Sequence, residues 1–315
     1  MEQNLASKAG IKFYSVATGK LRRYFSLANA VDLFRVPIGI VQAFFLLGRL
    51  NPRPDIIFSK GGFVGFPVVV AAWLRGIPVV IHESDALPGL TTKLSARFAR
   101  KILLGYEAAA VELQKYEDKL EVIGNPVRVG IAKGSTLRAR KLTGFKGDRP
   151  VLLVMGGSSG AEQINQIVKE ELDALTAHFD VLHLTGHGKG RRSRKAQNPH
   201  YFAMPYAHDE MKDFYALASL ALSRSGASAL AELETLQLPA LLYPLGLKVS
   251  RGDQLANAQA ACTLHEIFIL ADKKKTAHSQ LTLLPKRPKK IMENSVTGQI
   301  AAMLISQAQE KSSTK

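Results

Sequence analysis

What the chain has little of narrows its chemistry first. There is one cysteine, Cys262, in 315 residues, which excludes a disulfide scaffold and a cysteine-built zinc site and points to a reducing compartment. No apolar run reaches the roughly 20 residues that a membrane-spanning helix needs. The most apolar early run, Val36 to Gly48 (VPIGIVQAFFLLG), also lies too deep in the chain for a signal peptide. Asp-X-Asp pairs, His/Cys clusters, a Walker lysine motif and a full G-x-G-x-x-G fingerprint are all missing. A bound metal is therefore not expected, nor is a cofactor, and a dehydrogenase reading is weakened. Acidic residues are scarce as well: 26 Asp+Glu stand against 42 Lys+Arg, for a net charge of +16. That excess suits an anionic partner, whether nucleic acid, an acidic membrane or a phosphorylated substrate.

What is present is an alternation of short apolar runs and helical stretches. Asp55 to Phe58, Pro78 to His82, Lys101 to Leu104 and Glu121 to Ile123 read as strands, with helices over Pro67 to Leu74 and Leu90 to Arg100. From Asn125 to Pro150 basic residues and glycine dominate, which reads as a linker or exposed connection. A second series then opens with Pro150 to Met155. A helix follows through about Ala177, and strands at Val181 to Leu184, Leu220 to Ser223 and Ala240 to Tyr243. The fold expected is α/β, two doubly wound Rossmann-like domains in tandem, whose ligands sit at the carboxyl ends of strands and in the cleft between domains. The charge is uneven: 22 basic and 10 acidic residues precede Asp148, and 20 and 16 follow from there.

Glycine-rich loops sit where such folds hold phosphates. Gly156-Gly157-Ser158-Ser159-Gly160 follows a strand and opens a helix, whose free N–H groups and positive dipole end favour an anion; a tight turn without ligand is the plain alternative. Ser223-Arg224-Ser225-Gly226-Ala227-Ser228 repeats the pattern, with Glu232 one turn into the helix, able to accept from ribose hydroxyls or simply to meet the helix dipole. Gln254 and Asn257 start a later helix with side chains that suit sugar hydroxyls. In the front half, Lys60-Gly61-Gly62 is a third such loop, and His82-Glu83-Ser84-Asp85 ends a strand. Arg128, after Asn125-Pro126-Val127, is a natural phosphate or carboxylate clamp or a solvated linker residue.

The order KGGFVGFP, HESDALPGLTTKLSA, GNPVR, GGSSGAEQIN, SRSGASALAELETLQLPALLYPL, RGDQLANA resembles the bacterial MurG family over nearly the whole chain. That family comprises membrane-associated N-acetylglucosaminyltransferases of peptidoglycan synthesis. The resemblance implies a metal-independent, inverting enzyme of GT-B type. It moves GlcNAc from UDP-GlcNAc to the muramoyl-pentapeptide on undecaprenyl diphosphate (lipid I), giving lipid II. It also implies an acceptor and membrane domain over 1–128, a UDP-GlcNAc domain over 129–295, and a C-terminal helix of about 296–315 packing back on the first. Carried over by motif, Ser158 meets the diphosphate. Ala227, Ser228, Ala229, Leu230, Ala231 and Glu232 line the nucleotide, with Glu232 on the ribose. Gln254 and Asn257 hold GlcNAc, His208 contacts uracil through its backbone, and Arg128 reaches the nucleotide sugar. Gly61 and Gly62 cradle the lipid diphosphate.

Two departures stand out. Asp85 occupies a donor-contacting position where the family usually has asparagine, and an acid close to a diphosphate is repelled unless protonated or turned away. Nothing before Lys20 matches the family's opening strand and glycine-rich loop with its histidine, so the front domain reads as lacking its first βα unit. No catalytic base is identified, and the chain is expected to bind UDP-GlcNAc better than it turns it over. The basic residues Arg35, Arg49, Arg53 and Arg75 flank Ile38, Phe44, Phe45 and Trp73, a mixture that suits an anionic membrane surface on the cytoplasmic side. Nucleic acid is not an expected partner, whereas other cell-wall synthesis proteins are compatible. Two further readings are a partner-dependent sugar-nucleotide-binding subunit and a UDP-GlcNAc 2-epimerase-like enzyme.

Overall fold

The computed structural model describes residues 3, 6–7, 9–19, 27–157, 162–186, 193–194, 198–246, 250–288 and 296–312, with the side chains of 27–34, 193–194 and 310–312 excepted. Two parallel sheets organise them. The front sheet has the order β1 (Ile57–Ser59), β2 (Val79–Glu83), β3 (Lys101–Leu104) and β4 (Leu120–Val122), every pairing parallel. The rear sheet contains β5 (Val151–Met155), β6 (Asp180–Leu184), β7 (Ser193–Arg194), β8 (Tyr201–Met204), β9 (Leu220–Ser223), β10 (Ala240–Leu242) and β11 (Phe268–Leu270), in the order β11-β10-β9-β5-β6-β8-β7. Only β7, at the edge, runs antiparallel to its neighbour.

Buried parallel strands need apolar residues on both faces, and β2, β5 and β6 are buried at every position. Helices cover the front sheet. On one side lie α1 (Leu27–Arg49), α2 (Gly65–Leu74) and α3 (Leu90–Ser95), around Ala43, Leu47, Val69, Ala72, Ile81 and Ile102. A helix assigned to the tail is the cover on the other side. Ile300, Val296, Met303 and Leu304 of α11 (Val296–Ser312) pack on Val80, Leu103 and Phe58. The rear sheet has a core on each face, one with Leu153, Phe214, Tyr215 and Leu242, the other with Leu152, Ile164, Leu175 and Leu222.

The stretch read as a linker holds a helix, α4 (Thr136–Thr143). Ser135 caps it by accepting from the Arg138 N–H, and Gly144, at φ +78°, ends it in the left-handed region. Arg138 donates twice to Asp213 of α7 (Met211–Leu217) at 2.7 and 2.8 Å, so charge ties this helix down where apolar periodicity is weak. The single helix read after β5 is two, α5 (Glu162–Glu170) and α6 (Leu172–His178), and the helix read to Arg100 stops at Ser95. Further helices are α8 (Ala227–Thr235), α9 (Asp253–Leu264) and α10 (Ala277–Leu281), with a 3-10 segment over Glu107–Lys119.

Candidate functional site

The carboxyl ends of the two sheets meet. From the rear domain, Asn257 on α9 is fully buried, and its amide spans the seam. Its Nδ2 donates to Asp85 Oδ1 at 2.9 Å and to the Ser225 carbonyl at 3.2 Å, and its Oδ1 accepts from the Ala86 N–H at 2.7 Å. Ala86 and Tyr106 of the front domain pack with Ala227, Ala256 and Ala260 of the rear. Arg251 lies against Gly89, where an added Cβ would sit 2.7 Å from its Nη1.

Asp85 is therefore joined to the sugar motif of the other domain. Burial raises its pKa and the Asn257 bond opposes that; Glu83 and Asp253 raise it further, and Arg251 lowers it. The neighbouring carboxylate is committed elsewhere. Glu83 accepts from the Asp85 and Gly89 N–H groups and from Thr92 Oγ1. His82 is 1% exposed, with Nε2 2.9 Å from the Gly124 carbonyl and Nδ1 3.3 Å from Ser84 Oγ. A carbonyl only accepts, so Nε2 carries the proton, and burial holds the pKa below its ordinary value. This neutral histidine ties β2 to the turn at Gly124.

In the rear domain Glu232 is nearly saturated. Arg128 donates to Oε1 at 2.8 Å and to Oε2 at 3.2 Å, and the buried Tyr215 hydroxyl donates to Oε2 at 2.8 Å. The bond to Glu232 raises the Arg128 pKa, partly offset by burial. Gln254 Oε1 accepts from the Leu245 N–H, and its carbonyl accepts from Ser225 Oγ. The His208 N–H donates to Glu210, and its carbonyl accepts from Met211 at 3.4 Å. Ala227 to Glu232 form the first turns of α8, with Ala227, Leu230, Ala231 and Glu232 facing the core. Gly61 and Gly62 have φ near +79° and +78°, and open space lies where a Cβ on Gly62 would be. Ser158 lies outside the described residues. Among the described residues no cluster of three metal-ligating side chains occurs.

Residues 1–104 match the glycosyltransferase family 28 N-terminal domain, and residues 151–313 match the family's C-terminal domain. The chain belongs to glycosyltransferase family 28. A UDP-N-acetylglucosamine--N-acetylmuramyl-(pentapeptide) pyrophosphoryl-undecaprenol N-acetylglucosamine transferase of Legionella pneumophila (strain Lens) is 40% identical over 311 residues, 99% of this chain and 84% of that protein. A protein of the same name, numbered 2, from Bacillus cereus (strain ATCC 10987 / NRS 248) is 43% identical over 261 residues, 82% of this chain and 72% of that protein. The crystal structure of Acinetobacter baumannii MurG has a TM-score of 0.62 at 22% identity, covering 98% of this chain and 83% of that one. A UDP-GlcNAc 2-epimerase of Methanocaldococcus jannaschii, in complex with UDP-GlcNAc and UDP, has a TM-score of 0.55 at 15% identity, covering 86% and 81%. These two likenesses show the GT-B fold that the family 28 chain shares with both enzyme classes.

Motif reading missed several residues that shape the candidate site of this family 28 chain. Tyr215, which holds Glu232, carries no sequence signal beyond apolar helix spacing. Arg224 and Arg251 stand inside motifs that were read for their glycines and amides.

Proposed function

We propose that the chain transfers GlcNAc from UDP-GlcNAc to the muramoyl-pentapeptide of lipid I, forming lipid II, with the rear domain holding the donor and the front domain the acceptor. The observation that carries this is the seam. The rear domain's sugar motif touches the carboxyl end of a front-domain strand through Asn257, Asp85 and Ala86, where a donor from one domain and an acceptor from the other would meet.

Both Asn257 N–H groups and both Glu232 oxygens are used within the protein in this state. Donor entry is then an exchange. Ribose hydroxyls take Glu232 from Arg128, which turns to the diphosphate, and the sugar takes Asn257 as the seam opens. Gln254 keeps its amide nitrogen for a GlcNAc hydroxyl. With the domains closed to exclude water, the acceptor C4 hydroxyl attacks the anomeric carbon with inversion and gives its proton to a base, while the bond to the diphosphate oxygen breaks and UDP departs toward the helix N-termini. Radiolabel moving from UDP-GlcNAc into lipid I, with no UDP-ManNAc formed, is the expected result. Epimerised nucleotide without lipid transfer would favour the 2-epimerase reading instead.

The front domain would do this at the cytoplasmic face of the cell membrane, bound peripherally. Ile38, Val41 and Phe45, spaced by three and four residues, form one half-exposed stripe on α1, and Trp73 and Leu74 end α2 half exposed. Phe44 is partly buried against the domain's core, with Arg75 over its ring, so it does not belong to that stripe. No described helix is long and apolar enough to cross a membrane. Co-sedimentation with anionic vesicles that falls with salt supports this placement; binding blind to both lipid charge and salt would count against it.

A further inference from the structure

The rear sheet reverses its winding between β5 and β9. From β5 the chain builds outward through β6 and β8, then returns to the other side of β5 to lay down β9, β10 and β11. The crevice at the carboxyl end of such a switch point is where open α/β sheets take ligands. Met155 pairs with Ser223 across it, so the residues just past the strand ends, Gly156 on one side and Arg224 on the other, flank the crevice together.

Arg224 is 7% exposed. Its Nη1 donates to Gln163 Oε1, in the first turn of α5, at 3.0 Å and to the Tyr243 carbonyl at 2.8 Å. Its Nε is buried with no partner, and no carboxylate among the described residues pairs with it. Other arginines show how the protein usually treats this group. Arg128 and Arg138 have Glu232 and Asp213. The half-buried Arg287 is a staple, donating to the carbonyls of Tyr215, Ala218 and Leu236. A guanidinium stays protonated even where burial lowers its pKa. Arg224 is thus a buried, uncompensated charge, an arrangement that costs folding energy unless an anion arrives to offset it.

We propose that Arg224 is an electrostatic positioning residue for the donor's diphosphate: held by Gln163 and Tyr243 behind the switch-point crevice, it supplies the positive charge that the departing UDP needs. The proposal rests on reading the rear domain as the nucleotide-sugar domain. Charge then accumulates on the diphosphate as its bond to the anomeric carbon breaks, next to a cation that needs no reorganisation.

The test is calorimetric titration of the full chain with UDP, UMP and uridine, for the wild type and for Arg224→Lys, Arg224→Met and Arg224→Gln. Thermal melts report folding. Neutral variants should weaken UDP by roughly 10–100-fold, the scale of a charge-assisted bond, UMP by less, and uridine within about twofold. Arg224→Lys should recover part of the UDP affinity. Arg224→Gln keeps an amide donor for Gln163 and Tyr243, and it replaces Arg224→Met if that variant fails to fold. Equal losses for UDP and uridine, or unchanged UDP affinity, would overturn the proposal. Wild-type protein that binds neither UDP nor uridine would instead overturn the donor-domain reading beneath it.

Discussion

The two domains spend their polar residues differently. In the rear domain charged and polar side chains are drawn inside and paired: Glu232 with Arg128 and Tyr215, Asp180 with His200, His183 with Tyr201 and Asn165. The front domain also buries a polar network, Glu83 with Thr92 and His82 with Gly124, but it leaves apolar side chains outside as well, the Ile38, Val41 and Phe45 stripe and Trp73. Buried polar networks fix geometry, because each broken bond leaves a group that water cannot reach. Exposed apolar stripes fix nothing until something covers them. On the proposed function, one domain would recognise a small polar molecule and the other would meet a membrane surface.

The sharpest way to break that contrast is Glu232→Ala. It removes the acceptor proposed for ribose and strands the Tyr215 hydroxyl and Arg128. UDP affinity should fall by at least about 100-fold, the cost of two bonds to a carboxylate, which calorimetry would read directly. Next comes the seam. Asn257→Asp sets a carboxylate against Asp85 and should cost roughly 10–100-fold in kcat/KM for the donor. Asp85→Asn placed on top restores a donor–acceptor pair and should recover part of the loss; strictly additive losses would show that the two residues do not speak to each other. A smaller effect is expected in the front domain. Phe45→Ser with Trp73→Ser should lower anionic vesicle binding about tenfold and leave uridine binding unchanged.

The smallest effect at neutral pH tests the rear network. Burial drops the His183 pKa to about 4 from 6.5. The folded state refuses a proton that the unfolded chain accepts, so the stability this group contributes is complete above about pH 6.5 and is lost as pH falls toward 4. His183→Asn should flatten that decline in urea midpoints between pH 7.5 and 5. An unchanged slope would mean the proton goes elsewhere.

Strands were the most legible part of the sequence because buried parallel strands are continuous apolar runs. Lys101–Leu104 and Leu220–Ser223 match the structure end to end, and Val151–Met155 differs from its reading only by Pro150. What escaped depends on partners far along the chain. α4 looked like a linker because what secures it is Asp213, 75 residues from Arg138. β8 and β11 are short pieces whose pairing to β6 and β10 defines them. At the site, Asp85, Glu232 and Asn257 could be picked out by type and motif. The bond between Asp85 and Asn257 joins residues 172 positions apart, and no local pattern encodes it. Asp85 looked like a problem for a diphosphate when taken alone. In the fold its hydrogen-bond partner is an amide from the other domain.

The tail helix has a mechanical consequence. The chain crosses from the front domain to the rear near Arg128, and returns between Arg287, fastened to rear-domain carbonyls, and Val296, seated on the front sheet. Two bodies joined at one point can swivel in any direction. Joined at two, they keep a single line about which to turn, as a door does on its pins. Opening to admit UDP-GlcNAc and shutting on the acceptor would then be the same movement run in opposite senses, and Asn257 would return to Asp85 once the sugar has left.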